Sequence, residues 1–126
     1  MATSDFSSFA APIRPANVGN GWDFHIYFKL EELETALALH QQVRETFPTL
    51  KLFKVWDKPI GPHTLPMFEV DVFTPAEFGA FLSWIAVNRQ GFSVLAHPHT
   101  GDDVTDHLVH GVWIGDKVPL IRERLE

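Results

Sequence analysis

The stretch "MFEVDVFTPAEFGAFLSWIAVNRQGFSVLA", residues 67–96, decides the fold because it holds a strand, a helix and a second strand in direct succession. Its first seven residues alternate between apolar and polar side chains, a period of two that is typical of a half-buried strand. A capping box formed by Thr74 and Glu77 predicts where the helix begins, and Gly91 predicts where it ends. The last five residues, "FSVLA", predict another strand.

The first half of the chain repeats this order. "WDFHIYF", residues 22–28, alternates like a strand, residues 30–47 have a helical pattern, and residues 51–57 predict a second strand. The first helix carries these side chains at helical spacing: Leu33, Leu37, His40 and Phe47. A short apolar run in residues 110–115 adds a fifth strand. The resulting β-α-β-β-α-β order, with an added C-terminal strand, predicts a ferredoxin-like α+β sandwich with both helices on one sheet face.

Composition limits what the chain can be. Its 126 residues predict a loosely ordered N-terminal arm at residues 1–20 and a single folded domain at residues 21–126. Since there is no cysteine, a metal would be held by imidazole and carboxylate groups. A net charge of −6 without a run of Lys or Arg argues against a nucleic-acid partner. The chain has no signal-peptide pattern and no stretch long enough to span a membrane, so we expect a cytoplasmic protein.

Histidines are concentrated in "HPHTGDDVTDHLVHG", residues 97–111, which holds four of the seven histidines together with three aspartates. Two interpretations compete for this segment. It is either part of a metal or acid/base site, or a polar turn followed by a strand that happens to be rich in histidine.

Strand alternation favours a site. If the apolar side chains of the strands face the helices, then His25, Glu69 and His97 point to the opposite face. A register that pairs the middles of the first and third strands would set His25 and Glu69 about 5 Å apart. Two histidines and a carboxylate with open positions are the ligand set of non-haem Fe(II) oxygenases. His63 joins this cluster only if the Gly-Pro turn before it folds inward over the sheet.

The other histidines depend on local structure. His107 and His110 share a face if their segment is a helical turn, and point to opposite sides if it is a strand. His99 binds together with His97 only if the intervening proline leaves both side chains on the same side. His40 lies on the first helix, where packing is the expected role.

Three segments, "FHIYF", "GPHTLPMFEV" and "HPHTGDDVTDHLVHGVWIG", resemble the DOPA 4,5-dioxygenase family, and the resemblance extends over roughly residues 21–115. It implies a ferredoxin-like fold that is usually dimeric. It also implies extradiol cleavage of a catechol such as L-DOPA with O₂ and a divalent metal, normally Fe(II). The polar positions that it carries over are His25, His63, His97, Asp106, His107 and His110. His99 departs from the motif, in which Asn is commoner at that position.

These observations lead to a set of expected roles. The expected metal ligands are His25, His63, His97 and Glu69. The expected catalytic residues are His107, His110 and Asp106, with one of the two histidines taking a phenolic proton and later returning one, as an imidazole can do near neutral pH. The expected substrate-binding residues are Tyr27 and Trp113, and Trp56 is a further candidate wall.

Two alternatives remain open at this stage. One is a dimeric module of the same fold that binds a metal or a small aromatic compound without turning it over. The other has no metal, and its histidines form a hydrogen-bonded network at a dimer interface that loosens near pH 6 as the imidazoles become charged.

Overall fold

The arrangement of strands and helices is given by a computed structural model that describes residues 6–9 and 21–126. The strands within these residues are β1 (Trp22–Tyr27), β2 (Lys51–Leu52), β3 (Met67–Val72), β4 (Ser93–Pro98) and β5 (Val112–Ile114). The helices are α1 (Leu33–Thr46), α2 (Pro75–Asn88) and α3 (Asp103–Leu108), with single 3₁₀ turns at Leu30–Glu32 and Arg122–Arg124.

The five strands form one antiparallel sheet in the order β2-β3-β1-β4-β5. The first four strands have the ferredoxin-like arrangement, in which β1 and β3 are central, and β5 is added beside β4. The predicted α+β fold with an extra C-terminal strand is therefore confirmed. In the β1–β3 pair, His25 stands directly opposite Glu69, as the assumed register required.

Alternation along the strands sorts the side chains into two faces. The core side of β1 carries Phe24 and Ile26, followed by Phe28 just after the strand. These side chains face the helices and are buried with Phe68 and Val70 of β3. At the start of α2, the Thr74 hydroxyl accepts a hydrogen bond from the Glu77 backbone N–H at 3.1 Å, as the capping box predicted. This helix side contains the main hydrophobic core, so the opposite face is free to carry a site.

Helix α1 departs from the predicted packing at one position, since Leu33 and Phe47 contact the core as expected. Its fully buried side chains are Ala36, Leu39, His40 and Val43, whereas Leu37 is 47% exposed. The apolar pattern predicted the wrong buried side chain at this turn. Small Ala36 lies on the face that approaches the sheet, while the larger Leu37 beside it is exposed to solvent. His40 packs as expected, and its Nε2 lies 2.7 Å from the carbonyl oxygen of Phe53.

Three strand boundaries also differ from the prediction. Regular pairing of β2 stops after Leu52, and Trp56 then pairs with Met67 as an isolated bridge. Between these two pairings, the segment after β2 has one residue more than β3, which is the effect of a β-bulge. Strand β4 runs on to Pro98, beyond the predicted end at residue 96, and β5 is limited to Val112–Ile114.

The free face of the sheet is partly covered by two segments outside the strands. A second apolar cluster includes Tyr27, Met67, Leu95 and Val118 at one end of this face. The C-terminal segment is tied to the loop before β3, because the Ile121 N–H donates to the Pro62 carbonyl at 2.8 Å. This contact folds the Gly-Pro loop inward over the sheet, the condition on which the predicted position of His63 depended.

The predicted N-terminal arm, residues 1–20, lies outside the described residues except for residues 6–9, so the division of the chain at residue 21 stays a prediction. None of the helices in the described part of the chain combines the length and apolarity needed to cross a membrane.

Candidate metal centre

His25 lies in the middle of the free face. It stands on β1 between Glu69 of β3 and Leu95 of β4, and its side chain is 4% exposed. Burial lowers the pKa of His25 well below its usual value, and the neighbouring histidines add to this effect when they are charged. The imidazole is therefore neutral at pH 7, the form in which it can bind a metal.

His97 reaches the same point from β4. Its Nε2 lies 3.0 Å from the Nε2 of His25, and its Nδ1 lies 3.0 Å from the carbonyl oxygen of Pro98. A carbonyl only accepts hydrogen bonds, so the proton of this ring is on Nδ1 and the Nε2 lone pair faces the cluster. Burial lowers the pKa of His97 to about 4, with the charge of His107 acting in the same direction.

Helix α3 brings a third imidazole, that of His107, over the sheet. Asp102 caps the helix by accepting from the Thr105 N–H at 3.2 Å. Nδ1 of His107 lies 2.8 Å from the Asp103 carbonyl, so this ring too carries its proton on Nδ1 and leaves Nε2 free. The ring centroids of His97 and His107 are 3.8 Å apart.

Each of these three histidines offers a ligand nitrogen, and the three nitrogens lie within 4.8 Å of one another. Backbone carbonyls orient two of the three rings, an arrangement found around metal-binding histidines because it fixes the tautomer and the direction of the lone pair. We call His25, His97 and His107 the histidine trio. It is a candidate site for a divalent transition metal.

His63 stands beside the trio. Its ring centroid is 4.4 Å from that of His25 and 6.3 Å from that of His107. Its Nδ1 lies 2.7 Å from the hydroxyl oxygen of Tyr27. Burial lowers the pKa of His63 to about 4, so this ring is also neutral at pH 7. The tyrosine is 1% exposed, so its ring offers almost no free surface for the substrate contact that was predicted for Tyr27.

Three carboxylates, Asp23, Glu69 and Asp71, border the trio, and we call them the carboxylate row. Only Glu69 was singled out from the sequence. Asp23 precedes His25 by two residues on β1, stands opposite both Asp71 and His97, and lies 2.8 Å from Nε2 of His99. Strand alternation was the signal for Asp23, since it shares the face of His25. Two further groups of three that could hold an ion involve it: Asp23 with His97 and His99, and Asp23 with His25 and Glu69.

The carboxylates influence one another strongly. Burial raises the pKa of Asp71 to about 10, with contributions from Glu69 and Asp23. Burial also raises the pKa of Glu69. For Asp23, burial acts upward, but hydrogen bonds from His99 and Asp71 outweigh it and the pKa is lowered. At pH 7 the row therefore contains at least one protonated carboxyl group.

Three further predicted site residues, His110, Asp106 and Trp113, are not part of the trio. His110 is exposed after the end of α3, and no ring contact within the described residues joins it to the other histidines. Asp106 is 1% exposed and accepts hydrogen bonds from the Thr100 N–H and hydroxyl, so its oxygens hold the turn before α3. Trp113 is half-buried and stacks on Tyr27 with centroids 5.7 Å apart.

Replacing Asp106 by alanine is expected to lower the free energy of unfolding by about 2 kcal/mol, because it removes the two hydrogen bonds that this buried carboxylate accepts from the Thr100 N–H and hydroxyl. Zn²⁺ affinity is expected to fall as well, since the turn sets the position of His107. Chemical denaturation and zinc titration measure the two effects. Asp103→Ala, an exposed position on the same helix, is the control, and equal stability of the two variants would contradict this role.

A ferredoxin-like sheet with α1 and α2 on one face, and a cluster of imidazoles without cysteine on the other, defines an α+β protein with a candidate non-haem metal centre. The chain belongs to the Dopa 4,5-dioxygenase family, whose family model matches residues 22–124. This membership confirms the resemblance seen in the sequence.

Relatives and a solved structure agree with the family. The chain is 35% identical to an uncharacterised 21.2 kDa protein of Botryotinia fuckeliana, over 95% of this chain and 70% of that protein. It is also 35% identical to a DOPA 4,5-dioxygenase of Amanita muscaria, over 79% of this chain. The match spans 46% of the Amanita muscaria protein, less than half of its length.

A crystal structure of a candidate dioxygenase from Nostoc punctiforme has a similar fold, with a TM-score of 0.74 and 35% identity. The match covers 85% of this chain and 91% of that one. Family, relative and structure thus agree in placing the chain among the dioxygenases, a class of oxidoreductases.

Proposed function

We propose that the chain is a metal-dependent extradiol dioxygenase that opens the ring of a catechol such as L-DOPA with O₂, using Fe(II). The observation that carries this proposal is the histidine trio, which meets on one sheet face of a chain from a dioxygenase family. The Amanita muscaria relative is a DOPA 4,5-dioxygenase, which supports a catechol as the substrate.

The donor atoms suit a divalent transition metal. His97 and His107 both turn Nε2 toward the cluster because their Nδ1 protons are held by carbonyls. Imidazole ligands favour iron, zinc, copper or nickel over magnesium and calcium. We propose Fe(II) as the resident ion, and expect other divalent metals to replace it in a purified sample. When bound, Fe(II) would supply the Lewis-acid and template chemistry that holds both catechol oxygens and O₂ in place.

His63 is proposed as the acid/base residue, in place of the sequence-based assignment to His107 or His110. Its Nδ1 contacts Tyr27, so its Nε2 is the nitrogen left for exchange with the substrate. A tyrosine hydroxyl can donate to Nδ1 or accept from it, and either His63 tautomer is therefore stabilised. The pair can hold a proton at Nε2 or leave that atom as a lone pair, as proton transfer in both directions requires.

Trp113 is proposed as an aromatic contact for the substrate, because its ring is half-buried on the free face while the ring of Tyr27 behind it is fully buried. A substrate ring stacked there would gain apolar contact without displacing the core. A homodimer and a cytoplasmic location stay predictions, and sedimentation velocity would measure the first of them.

Anaerobic reconstitution with Fe(II), followed by L-DOPA and a panel of simpler catechols in air, tests the proposed function. Oxygen uptake and the visible spectrum are recorded together. We expect a yellow ring-fission product formed in proportion to the oxygen consumed. Stoichiometric metal binding without oxygen uptake for any catechol would instead indicate a non-catalytic binding module, and an absence of metal binding would overturn the proposal altogether.

Replacing Tyr27 by phenylalanine is expected to lower kcat by roughly ten- to a hundred-fold, because His63 loses the hydroxyl that stabilises both of its tautomers. Iron content is expected to remain at the wild-type value, since the hydroxyl does not contact the trio. Single-turnover kinetics and iron analysis measure the two quantities. An unchanged kcat, or loss of the metal with the hydroxyl, would contradict the assignment.

A further inference from the structure

We infer that Glu69 is a positioning residue, which orients His25 for metal binding by accepting a hydrogen bond from its Nδ1, and is not itself a metal ligand. This inference rests on the proposed function and specifies the working of its metal centre. It also replaces the sequence-based expectation that Glu69 coordinates the ion directly.

The first observation is an unsatisfied atom. Nδ1 of His25 is buried and has no hydrogen-bond partner within the described residues, while Oε1 of Glu69 lies 4.0 Å away. The two residues are direct cross-strand neighbours in the centre of the sheet. A buried polar atom without a partner costs free energy, so its presence beside a carboxylate calls for an explanation.

The second observation is the direction of the ring. The lone-pair directions of Nδ1 and Nε2 diverge across an imidazole, and it is Nε2 of His25 that meets Nε2 of His97 at 3.0 Å. An ion held by the Nε2 atoms of the trio therefore lies on the opposite side of the His25 ring from Glu69. The carboxylate is placed to contact the ring and not the ion.

The tautomers explain why Nδ1 is unsatisfied. The Pro98 carbonyl fixes the proton of His97 on Nδ1, so Nε2 of His97 is an acceptor and His25 must donate from its own Nε2. Nδ1 of His25 is then a lone pair, and at 4.0 Å from Oε1 of Glu69 it makes no hydrogen bond. When Nε2 is needed as a ligand, the same proton resides on Nδ1, which can donate to Glu69. Glu69 thus favours the metal-binding tautomer.

The competing arrangement is an ion bound by Asp23, Glu69 and a nitrogen of His25. It would use the Nδ1 side of the ring and place the proton on Nε2. The two arrangements therefore assign opposite tautomers to the same histidine, which makes them distinguishable by spectroscopy without any turnover.

Two-dimensional ¹H–¹⁵N NMR of ¹⁵N-histidine-labelled, Zn²⁺-loaded protein reads this tautomer. We expect a protonated, slowly exchanging Nδ1 and a metal-bound Nε2 for His25. In Glu69→Ala we expect rapid exchange of that proton and a 10- to 100-fold weaker zinc affinity, the usual effect of removing such a partner. Glu69→Gln keeps a carbonyl acceptor, so we expect it to restore most of the affinity.

Glu45→Ala, at an exposed position of α1, is the matched control and should bind zinc like the wild type. A His25 that binds zinc through Nδ1, or a Glu69→Ala variant with wild-type affinity, would overturn the inference and leave the proposed function standing. A wild-type chain that binds no zinc would overturn both. If Glu69→Ala does not fold, the wild-type tautomer and the Glu69→Gln affinity still decide the question.

Discussion

Replacing His97 by alanine is expected to abolish metal binding and to lower catechol-dependent oxygen uptake by more than a hundred-fold. His97 supplies one of the three Nε2 atoms and contacts both of the other rings in the trio. Loss of an outer-shell partner alone typically costs 10- to 100-fold, so loss of a ligand should cost at least that much. Metal analysis after dialysis and oxygen uptake measure the two effects.

His110→Ala is the informative comparison, because His110 is an exposed histidine of the same segment. We expect this variant to bind metal like the wild type. If His97→Ala keeps its metal while His110→Ala loses it, the histidine trio is not the metal centre.

The metal-free protein is expected to lose stability as the pH falls from about 6.5 to about 4. Burial lowers the pKa values of His63 and His97 to about 4, and lowers that of His25 as well. Within this interval the unfolded chain binds protons at these histidines and the folded chain does not, so acid favours unfolding. Each shift of His63 or His97 corresponds to on the order of 3 kcal/mol of unfolding free energy.

Asp71 acts in the opposite direction. Its raised pKa means that the folded chain holds a proton that the unfolded chain releases above its ordinary pKa, so its contribution is lost as the pH rises toward about 10. Glu69, whose pKa burial also raises, acts in the same direction as Asp71. Three histidines oppose these two carboxyl groups, and the net slope between pH 4 and 6.5 still favours unfolding in acid. Denaturant titrations across this range measure the slope. His63→Asn should lower this slope by the amount that about one bound proton contributes. A stability independent of pH would contradict the account.

Much of the sheet could be predicted because each strand alternates regularly. Once the apolar residues of β1, β3 and β4 were assigned to the core, His25, Glu69 and His97 had to share the other face. The same rule would have placed Asp23 there, but an acidic residue at the start of a strand does not stand out from a single sequence.

Other parts of the site depend on contacts that local patterns do not reveal. Helix α3 has six residues and no apolar periodicity, so it could not be told from a turn, and His107 was placed only conditionally. The position of His63 depends on pairing between its loop and the C-terminal segment, where His63 bridges Leu120 across 57 residues of sequence. The bulge after Leu52 and the exposure of Leu37 on α1 likewise follow from packing between elements.

Anomalous diffraction from crystals of the Fe(II)- or Co²⁺-loaded protein tests the central claim most directly, because it locates the ion independently of activity. The account predicts a single strong peak within bonding distance of Nε2 of His25, His97 and His107. A peak among the oxygens of Asp23 and Glu69, or between Asp23 and His99, would contradict it and move the metal to the carboxylate row.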